Sequence, residues 1–251
     1  MSPRILGDKD RFAQALEAAR ADLSSFEGIG RLNEGSLHKT LKLYFEPDIS
    51  RHEIKIGRFV ADILNEDGII EIQTRAFRNM KKKLEAFLSV GRVTVVFPLA
   101  VSKDVVWLDP QTGEMTPPRK SPKKGKPSDI FAELYWIRDY LSHPSFSIRI
   151  LLMTTTDVRL LCGWDESKKR GSHRTDRVPR ELIEEILVEN TQDYLDLLPK
   201  GLPQGEFTSK DFALYNGLKQ KEVSSILTVL RALNLIEVCG KKGRGYLYKY
   251  V

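Results

Sequence analysis

The stretch that most restricts how this chain can fold is residues 58–88, RFVADILNEDGIIEIQTRAFRNMKKKLEAFL. Two apolar runs, Phe59 to Leu64 and Ile69 to Gln73, flank the polar turn Asn65-Glu66-Asp67-Gly68, so they read as neighbouring antiparallel strands. A basic helix from Phe77 to Val90 follows. Each strand carries one carboxylate among apolar neighbours, Asp62 beside Val60-Ala61 and Ile63-Leu64, and Glu71 beside Ile69-Ile70 and Ile72. Alternate strand residues share a face, so Glu71 and Gln73 project together while Ile72 turns to the core. Adjacent strands lie about 4.8 Å apart, close enough for both carboxylates to hold one divalent ion. Charges on the open face of an antiparallel sheet are ordinary. These flanks indicate a mostly buried sheet, in which a carboxylate needs a partner or a metal.

The neighbouring elements complete a recognisable order. Asn33 to Phe45 is helical by pattern, His52 to Gly57 adds the first strand of a three-stranded meander, and Arg92 to Pro98 is a buried strand beyond the second helix. Helix, meander, helix and strand, with Asp62 ending one strand and Glu71-Ile72-Gln73 in the next, resembles the PD-(D/E)XK (restriction-endonuclease-like) nuclease superfamily across residues 31–98. The resemblance implies an α+β fold, a mixed sheet flanked by helices, that hydrolyses phosphodiester bonds with Mg2+ or Mn2+. It makes Asp62 and Glu71 metal ligands and puts Gln73 where the family usually places lysine. Glu34 stands where many members supply a further acid, although the helix dipole alone also favours an acid there. A neutral amide offsets the charge on a pentavalent phosphate less well than an ammonium. Lys81, Lys82, Lys83, Arg75 and Lys42 are the candidates to return a cation. Asp48, in Pro47-Asp48, reads as a turn residue, and Glu53 with Lys55 as exposed strand positions.

A second unit is legible at the other end. Thr208-Ser209-Lys210-Asp211 is a helix start that Asn216-Gly217 stops, and a longer helix from Gln220 carries Val223, Ile226, Leu227, Leu230 and Leu233 at helical spacing. Residues 235–250 then form a hairpin with the basic tip GKKGRG. This looks like a winged helix-turn-helix, which implies duplex DNA as partner. Lys219, Gln220, Lys221, Ser224, Ser225 and Thr228 would face the major groove, and Lys241, Lys242 and Arg244 would meet phosphate. Winged helices also serve as protein-binding modules. A helix over Arg180 to Leu198, interrupted near Asn190, would supply the missing first helix, since about 45 residues make a thin core.

The middle is less regular. Val105 to Leu108 reads as a strand, Thr116 to Lys126 as a mobile charged loop, and Phe131 to Leu141 as an amphipathic helix. Ser147 to Met153 and Val158 to Trp164 read as two strands joined by Thr154-Thr155-Thr156-Asp157, followed by a basic loop over Ser167 to Arg177. The expected organisation is an N-terminal helical extension (1–30, with a helix from Asp8 to Ser24), a nuclease-like domain (31–177) and a winged helix (178–251).

The net charge of +6 suits an anionic partner. His38, His52, His143 and His173 are scattered with no zinc spacing, and Cys162 and Cys239 sit in apolar runs that suggest no disulfide. No signal region or membrane span is read, so a cytoplasmic location is expected. The leading expectation is a metal-dependent DNA endonuclease, with a homodimer compatible because double-strand cutting commonly uses two centres. Alternatives are a catalytically inactive nuclease-fold DNA-binding regulator and an RNA-directed nuclease.

Overall fold

The computed structural model describes residues 4–5, 7–24, 35–161 and 174–251. In chain order the elements are β1 (Arg4–Ile5), α1 (Lys9–Ser24), α2 (Ser36–Phe45), β2 (His52–Ile56), β3 (Phe59–Asn65) and β4 (Gly68–Ile72). A 3-10 turn (Phe77–Met80) leads into α3 (Lys81–Leu88), then β5 (Val93–Leu108), β6 (Arg119–Lys120), α4 (Phe131–Ile137), β7 (Phe146–Leu160) and β8 (Arg174–Val188). After a 3-10 turn at Thr191–Leu197 come β9 (Phe207–Thr208), α5 (Ser209–Asn216), α6 (Gln220–Ala232), β10 (Ile236–Lys242) and β11 (Gly245–Tyr250). The main sheet runs β1-β8-β7-β5-β4-β3-β2, with β6 paired separately on β5. Its β4–β5 and β5–β7 pairs are parallel and the others antiparallel. Helices cover both faces, so the fold is a mixed α+β sheet flanked by helices.

The two faces bury different sets of side chains. Leu37 and Leu41 of α2 and Phe12 of α1 pack on Ile63, Ile70, Ile72, Val96 and Leu151. On the other face Leu84 and Phe87 of α3, and Phe131, Leu134 and Ile137 of α4, pack on Ile69, Val93, Val95 and Ile148. That second core continues without a break into Phe212 of α5 and Val223, Ile226 and Leu230 of α6. Each such side chain taken from water contributes about 1.5–3 kcal/mol.

The meander forms as the sequence predicts. Its β3–β4 turn depends on Gly68, whose φ is +113° and where a Cβ would lie 2.6 Å from the Arg92 carbonyl oxygen. The second helix begins later than its pattern suggests. Ala76 takes a left-handed conformation (φ 61°), and the Glu133 carboxylate accepts from the Phe77 amide at 3.0 Å, which starts a tight turn before α3.

Further along, four expectations are corrected. Arg92–Pro98 and Val105–Leu108 belong to one strand, β5. Proline is tolerated inside it because β4 ends where Gln73 donates to the Val96 carbonyl, so the β4 side of Pro98 meets no ladder partner. Phe146–Leu160 is likewise one strand, in which the polar run Thr154–Asp157 stays paired on both sides with β5 and β8.

Most consequentially, Arg180–Leu198 is not an interrupted helix: β8 runs to Val188 and belongs to the main sheet, and only Thr191–Leu197 beyond Asn190 is helical, as a 3-10 helix. Pro179 and Leu182 fall three residues apart on one face because Arg180 is skipped at a register shift against β7, while Ile186 is buried on the opposite face. A bulge and burial on both faces together imitate a helical period.

The charged segment Thr116–Lys126 is also held to the sheet rather than free. Arg119 and Lys120 pair with β5, Ser121 donates to the Lys103 carbonyl and Gly125 to the Ala100 carbonyl, both at 2.9 Å. Cys162, Trp164, His173 and most of the basic loop Ser167–Arg177 lie outside the described residues. None of the described helices is long and apolar enough to cross a membrane.

Candidate active site

Backbone pairing between β3 and β4 stops at Ile63–Ile70. Beyond it the two carboxylates replace the ladder. Asp62 Oδ2 accepts from the Ile72 amide at 2.7 Å, and Glu71 Oε1 accepts from the Asp62 amide at 3.2 Å. Each acid therefore caps the other's strand, an arrangement that holds both carboxylates in one place at the end of β4. The opposing helices complete the group. His38 of α2 brings Nε2 within 3.2 Å of Asp62 Oδ2, and Lys83 of α3 brings Nζ within 2.7 Å of Glu71 Oε2. The side chain of Glu71 is only 4 % exposed, against 19 % for Asp62 and 23 % for Lys83. Water reaches the centre past Asp62 and Lys83.

The electrostatics separate the two acids. Burial pushes the Glu71 carboxyl up to about 7, the Asp62 charge adds to that, and Lys83 opposes it. Burial raises Asp62 too, but His38, the Ile72 amide and Lys83 together hold it below the usual carboxylate range. Glu71 therefore takes a proton readily near neutrality while Asp62 stays ionised. A divalent cation would displace that proton.

Glu71 makes the metal-free protein sensitive to pH. Its folded value of about 7 lies above the ordinary 4.5, so its contribution to stability is complete below 4.5 and lost as pH rises through 7. The shift corresponds to a loss on the order of 3 kcal/mol. Asp62 has the opposite sign, its contribution being lost only in acid as pH falls below the ordinary 3.8. In thermal unfolding without metal, wild type should lose more stability than Glu71→Gln between pH 5 and 8. Identical pH slopes for the two would contradict this assignment.

The other expected site residues are distributed unequally. Gln73 does not join the carboxylates, since its amide Nε2 donates to the Arg75 carbonyl at 2.6 Å. Glu34 lies outside the described residues. Of the candidate cations, Lys83 reaches Glu71, whereas Lys42 pairs with Glu53 at 3.1 Å and Lys81 with Asp139 at 3.7 Å. Asp48 is a turn residue, capping Ser50.

His38 is the residue that sequence reasoning did not place in the site. Its signal was position: it lies on α2, where Leu37 and Leu41 mark the buried face, and it stands four residues after Glu34 in the sequence. Backbone strain adjoins the group at two points. Glu53, opposite Asp62 in the β2–β3 register, has φ 54°, and Ala76 closes the loop after Glu71. Non-glycine residues in this region cost on the order of 1–3 kcal/mol and concentrate at functional sites.

Among the described residues no three or more His, Cys, Asp or Glu side chains are gathered as a ready metal cluster. The donors present nonetheless fit a hard cation that keeps several waters, because Asp62 and Glu71 offer carboxylate oxygens from adjacent strands. The Lys83 ammonium already sits against Glu71 as a positive partner.

In the C-terminal unit, α5 and α6 form a helix–turn–helix ahead of the β10–β11 hairpin. Thr208 and Asp211 cap α5 reciprocally, and Gly217 ends it at φ 62°. Gln220, Lys221 and Ser224 are exposed on α6, with Ser225 and Thr228 half-buried. The hydroxyls of Ser225 and Thr228 donate back to the Glu222 and Ser224 carbonyls. Lys241, Lys242 and Arg244 are exposed at the hairpin tip, and Lys219 stands at the start of α6.

By fold and site the molecule is a mixed α+β protein with a buried, cation-paired carboxylate couple at one sheet end. The chain belongs to DUF8091, a domain-of-unknown-function family whose profile matches residues 35–189. That span runs from the cap of α2 to the end of β8 and contains the whole carboxylate group. An uncharacterized protein of Treponema pallidum (strain Nichols) is 31 % identical over 158 residues, 62 % of this chain and 61 % of the relative's own length. No solved structure matches.

Proposed function

We propose that this protein is a metal-dependent DNA endonuclease of the PD-(D/E)XK type, cytoplasmic, in which the C-terminal unit acts as a winged helix that binds duplex. The observation carrying this reading is the pair Asp62 and Glu71, locked across β3 and β4 and met by Lys83. Asp62 and Glu71 would hold Mg2+ or Mn2+, which supplies an activated water and charge stabilisation for the phosphorane. Lys83, anchored on Glu71, takes the part that Gln73 leaves vacant, placing a positive charge beside the phosphate under attack. His38 holds Asp62 in position and keeps it ionised. The exposed side of α6 and the basic hairpin supply groove and phosphate contacts. A homodimer would provide two centres for the two strands.

A second reading, a nuclease-fold DNA-binding regulator without catalysis, is favoured by one observation: the Gln73 amide is turned to the Arg75 carbonyl. The test is incubation with supercoiled, linear, branched and single-stranded DNA, and with single- and double-stranded RNA, in Mg2+ or Mn2+, beside an EDTA control. Metal-dependent cleavage is expected. Tight binding with no cleavage of any substrate would favour the regulator, and cleavage of RNA alone would redirect the reading to an RNA nuclease.

A further inference from the structure

Where β4 ends, the edge of β5 is open for a few residues and is then covered by the lysine-rich segment that follows β6. A cleft of about 610 Å³ lies at that gap, floored by residues 97–100 of β5 and bordered by Thr74, three residues past Glu71. It is also lined by the turn between α5 and α6 and the start of α6, with Gly217, Lys219 and Glu222. The cleft thus joins the end of the carboxylate strand to the helix–turn–helix.

Its charge is one-sided, with six cationic side chains against two carboxylates. Both carboxylates are committed to the backbone: Asp129 accepts from the Lys126 amide at 2.9 Å and Glu222 from the Lys219 amide at 3.2 Å. Arg177 and Lys103 are occupied by buried Asp157, at 2.6 and 3.3 Å. Lys123, Lys124, Lys126 and Lys219 remain, and among the described residues none of them makes an ion pair. Solvated lysines usually ride on loose chain. Here Ser121 and Gly125 tie the segment to β5, and the approach at Gly125 is so close that a Cβ would lie 2.7 Å from the Ala100 carbonyl oxygen. Like charges fixed side by side repel one another, and a polyanion laid between them relieves that repulsion.

We infer that this cleft is a track for the phosphodiester backbone of the duplex, gripping DNA between α6 and the Asp62–Glu71 centre. The inference rests on the nuclease reading for the identity of the ligand, but its test needs no cleavage. Wild-type protein in EDTA is titrated with a labelled duplex over a range of salt, beside a Lys123→Gln, Lys124→Gln, Lys126→Gln triple variant. A control variant loses Lys9, Lys55 and Lys200, which are exposed elsewhere.

Each phosphate contact contributes about 0.9 to the slope of log affinity against log salt, so the triple variant should lose about 2.7 from that slope and roughly tenfold or more in affinity. The control should stay within about twofold. Thermal melting checks that both variants fold. An unchanged triple variant, a control that loses as much, or a parent that binds no duplex at any salt overturns the inference. An unchanged triple variant in a protein that cleaves DNA leaves the nuclease reading intact. A weakened one in a protein that never cleaves leaves the track intact and removes the nuclease.

Discussion

Asp62→Asn and Glu71→Gln should each lower metal-dependent DNA cleavage by about a thousandfold or more, the scale on which removing one charged or polar stabiliser of a transition state is felt. Both replacements keep the size of the side chain and an oxygen able to accept from the Ile72 or Asp62 amide, so the strand ends should stay capped. What they remove is the negative charge that would hold the ion. Lys83→Met should have a smaller effect, about a hundredfold, with a distinguishing mark. Lys83 opposes the rise of the Glu71 carboxyl, so without it the pH at which activity is half-maximal should move upward. Single-turnover cleavage rates from pH 5.5 to 9 separate these outcomes. A Lys83→Met variant with an unshifted profile would remove that lysine from the centre.

Phe131→Ala should cost about 3–5 kcal/mol, the range for deleting a fully buried ring. Phe131 has no exposed surface and lies in the core that α3, α4 and the sheet share with α5 and α6. Since that core is continuous, the C-terminal unit and the sheet should unfold together. Calorimetry should show one transition for wild type and one, at lower temperature, for the variant. Two separated peaks, only one of them moved by Phe131→Ala, would show that the units fold independently.

The meander and its carboxylates were legible because the signals there are local. A glycine with positive φ closes the β3–β4 turn, and strict alternation sets which side chains project together. The capped helix Ser209–Asn216 was legible for the same reason, through Thr208, Asp211 and Gly217. β8 reads as helical because the skipped Arg180 sets Pro179 and Leu182 three apart on one face while Ile186 is buried on the other, and only its pairing with β7 decides the matter. The length of β5 was hidden by Pro98, whose tolerance depends on where a different strand, β4, happens to end. The lysine segment after β6 looked free because the hydrogen bonds that hold it are made to carbonyls of β5 some twenty residues earlier.

In the site, the pair Asp62 and Glu71 could be read from two strands and a turn. The partners could not. His38 and Lys83 arrive on helices from opposite faces of the sheet, and which of several lysines reaches Glu71 follows from the delayed start of α3 after Ala76. A one-residue change in where that helix begins would rotate a different lysine toward the sheet. Gln73 shows the limit from the other side. Alternation places it on the face of Glu71, but its amide is taken up by the Arg75 carbonyl in the turn that follows.

The most direct test of the central claim is Mn2+ binding measured between pH 5.5 and 8 by electron paramagnetic resonance, without nucleic acid, for wild type and Glu71→Gln. Wild type should bind manganese at a single class of site, more weakly as pH falls below 7 and Glu71 holds its proton, and Glu71→Gln should lose that binding while melting as a folded protein. Equal manganese affinity in the two proteins, or none in wild type at any pH, would contradict the assignment of Asp62 and Glu71 as a metal-holding pair.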